Sequence, residues 1–305
     1  MTEVPADVRE LAGAVPGWAE ADLRIEPLEG GITNRNYLVA SGDERFVLRV
    51  PGAETSLLGI DREAEHEAAR RAEAAGAGPP VFAYLADRGC LVTRFVAGAH
   101  IPVADLEREP ILAAVVGSLR AIHACPAIGA TFPVFRIVEK YRRLASDRGV
   151  AIPDAYEEAH ARATEIEAAL DAAPMPLALC HDDLLNANFL LDGDHVWIVD
   201  YEYAGMGDPF FDLGNLAVNN GMPAAAQEML LSLYFGNVRD VHRARLALMR
   251  IMSDFREAMW GVIQQALSSL DVDYVEYADR HFARLLGNAA DPAFDAWLDA
   301  ARAPV

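Results

Sequence analysis

The sequence LCHDDLLNANFLLDGDHVWIVDYEYAGMGDPFFDLGN spans Leu179 to Asn215 and contains an apolar hairpin with polar side chains at its open end. An Asp-Gly pair separates NFLL from HVWIVD, and this pattern is typical of a β-hairpin. In a hairpin centred on Asp194, Asn188 lies beside Asp200. We therefore predict that the amide of Asn188 and the carboxylate of Asp200 belong to one site.

The oxygen atoms of Asn188 and Asp200 suit Mg²⁺, which takes few protein ligands and completes its octahedron with water and substrate phosphates. Asp183 precedes the hairpin in a loop, where its carboxylate can accept a proton from an attacking hydroxyl. A metal that neutralises phosphate charge next to such a base is the arrangement used for phosphoryl transfer. These three residues therefore predict a phosphotransferase.

Two other interpretations of the segment explain less of it. A metal phosphohydrolase would use His181 and Asp182 on a helix with further histidine ligands, whereas here a strand follows within a few residues. Simple turn capping explains Asp192 and Gly193 but leaves the three oxygen-bearing residues without a function. The phosphotransferase interpretation accounts for all of them.

The same segment resembles a known family. His181, Asp183 and Asn188 in the order HxDxxxxN, followed by Asp200, resemble the catalytic loop and metal-binding aspartate of protein kinase-like phosphotransferases. More narrowly, CHDDLLNANFL, WIVDYEYAGMGDPFFDLGN and the N-terminal EGGITNRNYLV resemble the choline/ethanolamine kinases, a branch near the aminoglycoside phosphotransferases and bacterial thiamine kinases. The resemblance covers most of the chain, although residues 102–174 contribute little to it.

The resemblance implies an α+β, two-lobed protein kinase-like fold, with a small antiparallel sheet in the N-lobe and a mainly helical C-lobe. The pattern of the chain agrees, because residues 1–97 read as strands with one helix and residues 98–305 show mostly helical spacing. We expect residues 1–97 to form a nucleotide-binding lobe and residues 98–305 to form a catalytic and acceptor-binding lobe. The hinge is expected near residues 96–100.

The resemblance also implies roles for the site residues, with ATP as phosphoryl donor and Mg²⁺ as the metal. Asp183 would be the catalytic base in contact with the acceptor, and Asn188 and Asp200 would hold Mg²⁺. Glu202, two residues beyond Asp200 on the same side of an extended chain, would assist a second metal. His181 would fix the loop rather than transfer protons.

A kinase-like site needs a cation on the nucleotide phosphates, usually a lysine held by a helix glutamate. Arg49 in FVLRV takes the matching place, and an arginine there resembles the choline kinase variant. On the following helix, Glu65 shares the apolar face with Ala68 and Ala72, whereas Glu67 lies on the charged face. We therefore expect Glu65 to pair with Arg49, with Glu67 as the alternative.

Two further segments are expected to contact the nucleotide. Gly30 and Gly31, with Thr33 and Asn34, can cover the phosphates with backbone amides and short polar side chains, although an ordinary hairpin turn explains the glycines equally well. The segment TRFV falls where an adenine-binding hinge is expected, and its alternative is an interior strand. The hinge contacts would come from Thr93, Phe95 and Val96.

The acceptor site is expected to combine aromatic faces with carboxylates, as the ammonium group of a choline-like alcohol requires. Trp260 in FREAMWGVIQQAL is the first candidate, because this segment resembles the Trp-containing helix that walls the choline pocket in the family. Tyr201, Tyr203 and Glu202 are further candidates, and core packing is the alternative for each aromatic ring. Asp212 resembles the aspartate that supports the catalytic loop, but it also fits a helix N-cap.

The expected partner is a small-molecule amino alcohol such as choline or ethanolamine. Thiamine, an aminoglycoside or another hydroxylated metabolite is the alternative acceptor, because pocket shape decides acceptor choice. A catalytically silent nucleotide-binding protein is the rival from another class. It is disfavoured because the phosphotransfer set is complete.

Composition narrows the environment of the protein. The 305 residues carry a net charge of −20, which argues against a nucleic acid partner because such binding depends on clustered Lys and Arg. The N-terminus lacks the pattern of a signal peptide, and no apolar run is long enough to span a bilayer. Three cysteines without metal-ligand spacing fit free thiols in a reducing compartment. We therefore expect a cytoplasmic protein that does not engage membranes.

Overall fold

The computed structural model describes residues 4–28 and 33–305 of the chain. Within these ranges the helices are α1 Ala6–Ala14, α2 Arg62–Ala74, α3 Glu109–His123, α4 Val134–Asp147, α5 Ala155–Asp171, α6 Pro209–Asn219, α7 Ala224–Phe235, α8 Asp240–Leu267, α9 Tyr274–Ala289 and α10 Phe294–Ala301. The strands are β1 Leu23–Leu28, β2 Asn34–Ser41, β3 Glu44–Pro51, β4 Val81–Leu85, β5 Cys90–Arg94, β6 Ala99–His100, β7 Ala178–Cys180, β8 Phe189–Asp192, β9 His195–Ile198 and β10 Gly205–Gly207.

The first part of the chain forms a five-stranded antiparallel sheet in the order β1-β2-β3-β5-β4. The β2–β3 hairpin turns at Gly42, whose φ of 58° suits glycine, so that Ser41 pairs with Glu44. Alternate residues of these strands are buried. These residues, which include Phe46 of β3, pack with Trp18 into a separate apolar cluster. This cluster holds the sheet that carries Arg49.

Helix α2 covers the sheet and begins at Asp61, whose carboxylate accepts hydrogen bonds from the backbone N–H groups of Glu63 and Ala64. Its buried face consists of Ala64, Ala68, Ala69 and Ala72, together with a carboxylate, Glu65. Small side chains allow the helix to approach closely, and the one acidic residue on that face must find a cationic partner. The helix therefore delivers a single carboxylate to the interior.

The larger part of the chain packs around α8, a helix of 28 residues that is buried for most of its length. Helix α6 crosses it at Gly214, where an added Cβ would lie only 2.7 Å from the backbone of Met249. Two small antiparallel sheets, β7–β10 and β6–β8–β9, lie in the same part of the chain. They carry the catalytic segment predicted from the sequence.

The α+β architecture with antiparallel sheets agrees with the prediction from the sequence. The boundary between residues 97 and 98 stays a prediction. Within residues 4–28 and 33–305, none of the helices combines the length and apolarity that crossing a membrane requires.

Candidate active site

The register of the hairpin formed by β8 and β9 differs by one residue from the prediction. Strands β8 and β9 pair Phe189 with Ile198, and the N–H of Val199 donates to the carbonyl of Asn188 at 3.0 Å. The pairing of Asn188 with Asp200 was therefore wrong. Gly193 adopts a φ of 65°, which allows a tight two-residue turn and moves the centre of the hairpin.

Asn188 and Asp200 nevertheless line the same cavity of about 490 Å³. Asp200 has a φ of 74°, so the chain turns sharply directly after the hairpin. The side-chain N–H of Asn188 donates to the carbonyl of Asp183 at 2.8 Å, which leaves the amide oxygen of Asn188 as an acceptor. An amide oxygen and a carboxylate on one wall of a cavity fit the ligand preference of Mg²⁺.

Asp212 supports the loop that precedes the hairpin. Its fully buried carboxylate accepts hydrogen bonds from the backbone N–H groups of His181 at 2.8 Å and Asp182 at 2.7 Å. The alternative reading of Asp212 as a helix N-cap was wrong, because Asp208 caps α6 by accepting from the N–H of Phe210. Asp212 lies one turn into α6, where its side chain points back to the loop.

Further side chains from the helical part of the chain hold the same loop. Asn215 accepts from the N–H of Leu184 at 2.5 Å, and His123 contacts Asp212 at 2.9 Å through Nε2. Cys180 lies close enough to His123 and Asp212 for these three to resemble a metal-ligand group. The hydrogen bonds already made by Asp212 and by both ring nitrogens of His123 identify the group as a structural support for the loop.

His181 is fully buried, and its ring bonds to the backbone on both sides. Its Nε2 lies 2.9 Å from the carbonyl of Val199, and its Nδ1 accepts from the N–H of Asp183 at 3.3 Å. Burial lowers the pKa of His181, so the neutral ring with the proton on Nε2 fits these contacts. This geometry agrees with a residue that fixes the loop.

The carboxylate of Asp183 lies against α8. Its Oδ1 is 3.7 Å from Nη1 of Arg256, a buried arginine that the sequence analysis did not identify. Burial raises the pKa of Asp183 to about 8, while the positive charge of Arg256 opposes the increase. A carboxyl group in this range is a stronger base than an exposed aspartate.

Arg49 bonds to two carboxylates through a single atom. Its Nη1 donates to Oε1 of Glu65 and to Oδ1 of Asp200, each at 2.6 Å. The side chain of Glu65 is 2% exposed, whereas that of Glu67 is 42% exposed and pairs with Arg71 at 3.3 Å. The structure therefore places Glu65, and not Glu67, against Arg49.

Glu202 occupies a different environment from the one expected. Because Asp200 is in the left-handed region, the chain from Asp200 to Glu202 is not extended, and that part of the prediction was wrong. Glu202 accepts hydrogen bonds from Thr33 and, at 2.8 Å, from Asn34. Burial raises its pKa to about 7, and the charge of Asp200 adds to the increase. Thr33 and Asn34 thus contact a carboxylate here, while Gly30 and Gly31 lie outside the described residues.

Arg62 is a second arginine that the sequence analysis missed. Its Nη1 donates to Oε2 of Glu65 at 2.6 Å and lies 3.4 Å from Glu202, while its Nη2 donates to Asn34 at 2.8 Å. The sequence contained one indication of this contact, because Arg62 lies three residues before Glu65 and both side chains therefore share one helix face. Arg62 therefore joins α2, the start of β2 and the segment after β9.

The predicted adenine-contacting residues line the cavity that holds Asn188 and Asp200. Thr93, Phe95 and Val96 lie on its wall. Apolar side chains contribute the rest of that wall, among them Leu28, Val47, Leu91 and Leu190, while the polar wall includes Arg49, Asn188 and Asp200. A cavity with an apolar section next to a cationic and oxygen-rich section fits the adenine ring and the phosphates of a nucleotide.

Trp260 lies on α8 and contacts the segment that follows β9. It is 6% exposed, and its Nε1 donates to the hydroxyl of Tyr203 at 3.0 Å. The edges of Tyr274 and Tyr277 approach its ring, with centroids 5.9 and 5.6 Å away. The guanidinium of Arg256 lies 4.3 Å from the centroid of the Tyr203 ring. Trp260 is thus part of a buried aromatic group, and its predicted contact with the acceptor stays a prediction.

A family model described as the phosphotransferase enzyme family matches residues 24–248 of the chain. A crystal structure of a choline/ethanolamine kinase family protein from Mesorhizobium loti is 34% identical, has a TM-score of 0.83, and covers 97% of this chain and 98% of its own. The chain belongs to the choline/ethanolamine kinase family.

Two curated relatives have lower sequence identity to this chain. Protein LicA of Haemophilus influenzae is 27% identical over 252 residues, which are 77% of this chain and 72% of LicA. Ethanolamine kinase 2 of Mus musculus is 25% identical over 308 residues, which are 90% of this chain and 78% of that protein. This choline/ethanolamine kinase family member is a small-molecule phosphotransferase, and its predicted two-lobed protein kinase-like fold is confirmed.

Proposed function

We propose that this family member transfers the γ-phosphoryl group of ATP, with Mg²⁺, to the hydroxyl group of choline, ethanolamine or a related amino alcohol. The observation that carries the proposal is the convergence of Arg49, Asn188 and Asp200 on one cavity, with the carboxylate of Asp183 on the adjoining loop. The names of the relatives support the acceptor class.

The roles follow from chemistry and position. Magnesium, when bound by Asn188 and Asp200, would neutralise phosphate charge and align the phosphates for transfer. Arg49 would bind the phosphates, because guanidinium donors match phosphate oxygens. Asp183 would accept the proton of the acceptor hydroxyl, and a pKa of about 8 suits a base that works near neutral pH.

Supporting roles are proposed for the residues around these groups. Glu65 would orient Arg49, and His181 would hold the loop that presents Asp183. Glu202 would join the metal site only after exchanging its contacts with Thr33 and Asn34. The three free cysteines agree with a cytoplasmic location, which we include in the proposal.

The proposal is tested by ³¹P-NMR of the purified protein with Mg-ATP and a pool of choline, ethanolamine, thiamine and aminoglycosides. We expect a new resonance of phosphocholine or phosphoethanolamine, which the Asp183→Asn variant should form at least about 100-fold more slowly. A phosphate ester of thiamine or of an aminoglycoside would overturn the proposed acceptor but support the proposed phosphoryl transfer. Binding of ATP without any ester, over a wider panel of alcohols, would favour the catalytically silent alternative.

A further inference from the structure

Arg256 is a charged residue in a buried stretch of α8. Its side chain is 2% exposed, and its neighbours in α8, Phe255 and Glu257, are buried as well. Burying a guanidinium group is costly unless other groups compensate its charge. The groups around Arg256 are therefore expected to compensate its positive charge.

Three groups from different elements surround the guanidinium. Oδ1 of Asp183 lies 3.7 Å from Nη1, Oε1 of Glu257 accepts from the same atom at 2.6 Å, and the Tyr203 ring centroid is 4.3 Å away. The hydroxyl of Tyr277 donates to Oε2 of Glu257 at 2.8 Å. We call Asp183, Tyr203, Arg256, Glu257, Trp260 and Tyr277 the Arg256 cluster.

The cluster contains both kinds of group that bind organic ammonium ions. A trimethylammonium group has no N–H donor, so its recognition depends on the faces of aromatic rings and on nearby negative charge. A primary ammonium group has three N–H donors and can bind to carboxylate oxygens directly. The choice between these modes depends on which aromatic faces are free.

In the Arg256 cluster an internal cation occupies an aromatic face. The guanidinium covers one face of Tyr203, next to the carboxylate of Asp183, and also neutralises Glu257. Trp260 and Tyr277 pack edge to face with an interplanar angle of 61°. The position beside the catalytic carboxylate that would suit a quaternary ammonium is therefore filled by the protein itself.

We propose that Arg256 is a specificity-determining residue that disfavours trimethylammonium alcohols and makes the site selective for primary amino alcohols. The inference rests on the proposed function, since it concerns the acceptor of that reaction. Within the cluster, the carboxylate of Asp183 stays accessible to N–H donors, since its side chain is 16% exposed and only Oδ1 lies near Arg256, at 3.7 Å. A bulky methylated cation would have to displace the guanidinium to reach the Tyr203 ring.

The test is a graded series of ethanolamine, its N-methyl and N,N-dimethyl derivatives, and choline. Wild-type protein should lose kcat/KM with each methyl group, by about tenfold or more over the whole series. Arg256→Ala exposes the face of Tyr203 and frees Glu257, so the ratio of choline to ethanolamine should rise by about tenfold. Arg256→Lys keeps the positive charge and is the matched control, with a ratio close to that of wild type.

The ratio cancels any general loss of activity that follows from the change next to Asp183. If Arg256→Ala does not fold, the wild-type series still decides, because choline used as well as ethanolamine would overturn the proposal. A loss on methylation that Arg256→Ala leaves unchanged would also overturn it and would assign selectivity to size alone.

Calorimetric titration of the same four compounds onto the Mg-ADP complex gives a readout that needs no turnover. Absence of turnover with graded binding would refute the proposed function and keep the inference about Arg256. Equal binding of all four, or binding of none, would overturn the inference.

Discussion

Nη1 of Arg49 donates a hydrogen bond to Oδ1 of Asp200 at 2.6 Å, although 151 positions separate the two residues in the chain. The same donor atom contacts Glu65 at 2.6 Å. A residue proposed to hold phosphate thus already contacts a residue proposed to hold Mg²⁺. If phosphate binds to Arg49 and metal to Asp200 as proposed, each side chain would gain a partner of opposite charge in place of the other.

Arg49→Met should weaken ATP binding by about 10- to 100-fold, because a charge-assisted hydrogen bond contributes about 1.5–3 kcal/mol. Calorimetric titration with a non-hydrolysable ATP analogue measures the effect. Arg62→Met is the control, since it removes the other arginine on Glu65 and leaves the contact with Asp200 in place. Equal loss of affinity in both variants would contradict a direct role of Arg49.

Asp183→Asn should lower kcat by about 10²- to 10⁴-fold, the usual contribution of a positioned general base. Nucleotide affinity should change little, because Asp183 contacts the loop and Arg256 rather than the nucleotide cavity wall. Initial rates with a coupled ADP assay and a separate nucleotide titration distinguish the two effects. Loss of ATP binding with turnover retained would contradict the assigned role.

Asp212→Ala should lower the free energy of unfolding by about 2–4 kcal/mol, because it leaves buried backbone donors of the catalytic loop without an acceptor. Urea denaturation followed by circular dichroism measures the loss. Asp273→Ala is a suitable comparison, since Asp273 is the N-cap of α9 and its loss should cost about 1 kcal/mol. A smaller effect at Asp212 than at Asp273 would contradict the account of the loop.

Removal of divalent cations should abolish turnover, and added Mg²⁺ should restore it, since Asn188 and Asp200 offer oxygen ligands suited to this ion. Asp200→Ala should need a much higher Mg²⁺ concentration for half-maximal rate, by about tenfold or more. A magnesium titration of the rate at saturating ATP measures this shift. An unchanged magnesium requirement in the variant would place the metal elsewhere.

The thiols should react slowly in the folded protein. Burial raises the pKa of Cys90 to about 11 and also raises those of Cys125 and Cys180. A raised thiol pKa lowers the thiolate fraction at a given pH, so modification of the buried Cys90 by a disulfide reagent at pH 8 should be about 100-fold slower than in urea. Three fast-reacting thiols in the native protein would contradict the burial described here.

Short-range patterns were sufficient for several parts of the site. The hairpin after Asn188 followed from its apolar strands and Asp-Gly turn, and the choice of Glu65 over Glu67 followed from helix periodicity. The register error at Asp200 has a local cause, because a turn centred on one residue and a turn centred between two residues have the same sequence signal. The resemblance of the HxDxxxxN segment to its family identified the chemistry.

The sequence by itself thus determined the family and the fold class of this protein, because the motifs that carry the family resemblance each lie within a short segment of the chain. Only the tertiary structure decided which distant charges meet. Arg62 bridges Glu65 and Glu202, and Arg256 reaches Asp183 and Tyr203. Such contacts arise when helices and strands from remote segments pack together, and periodicity carries no information about which buried charges then become partners.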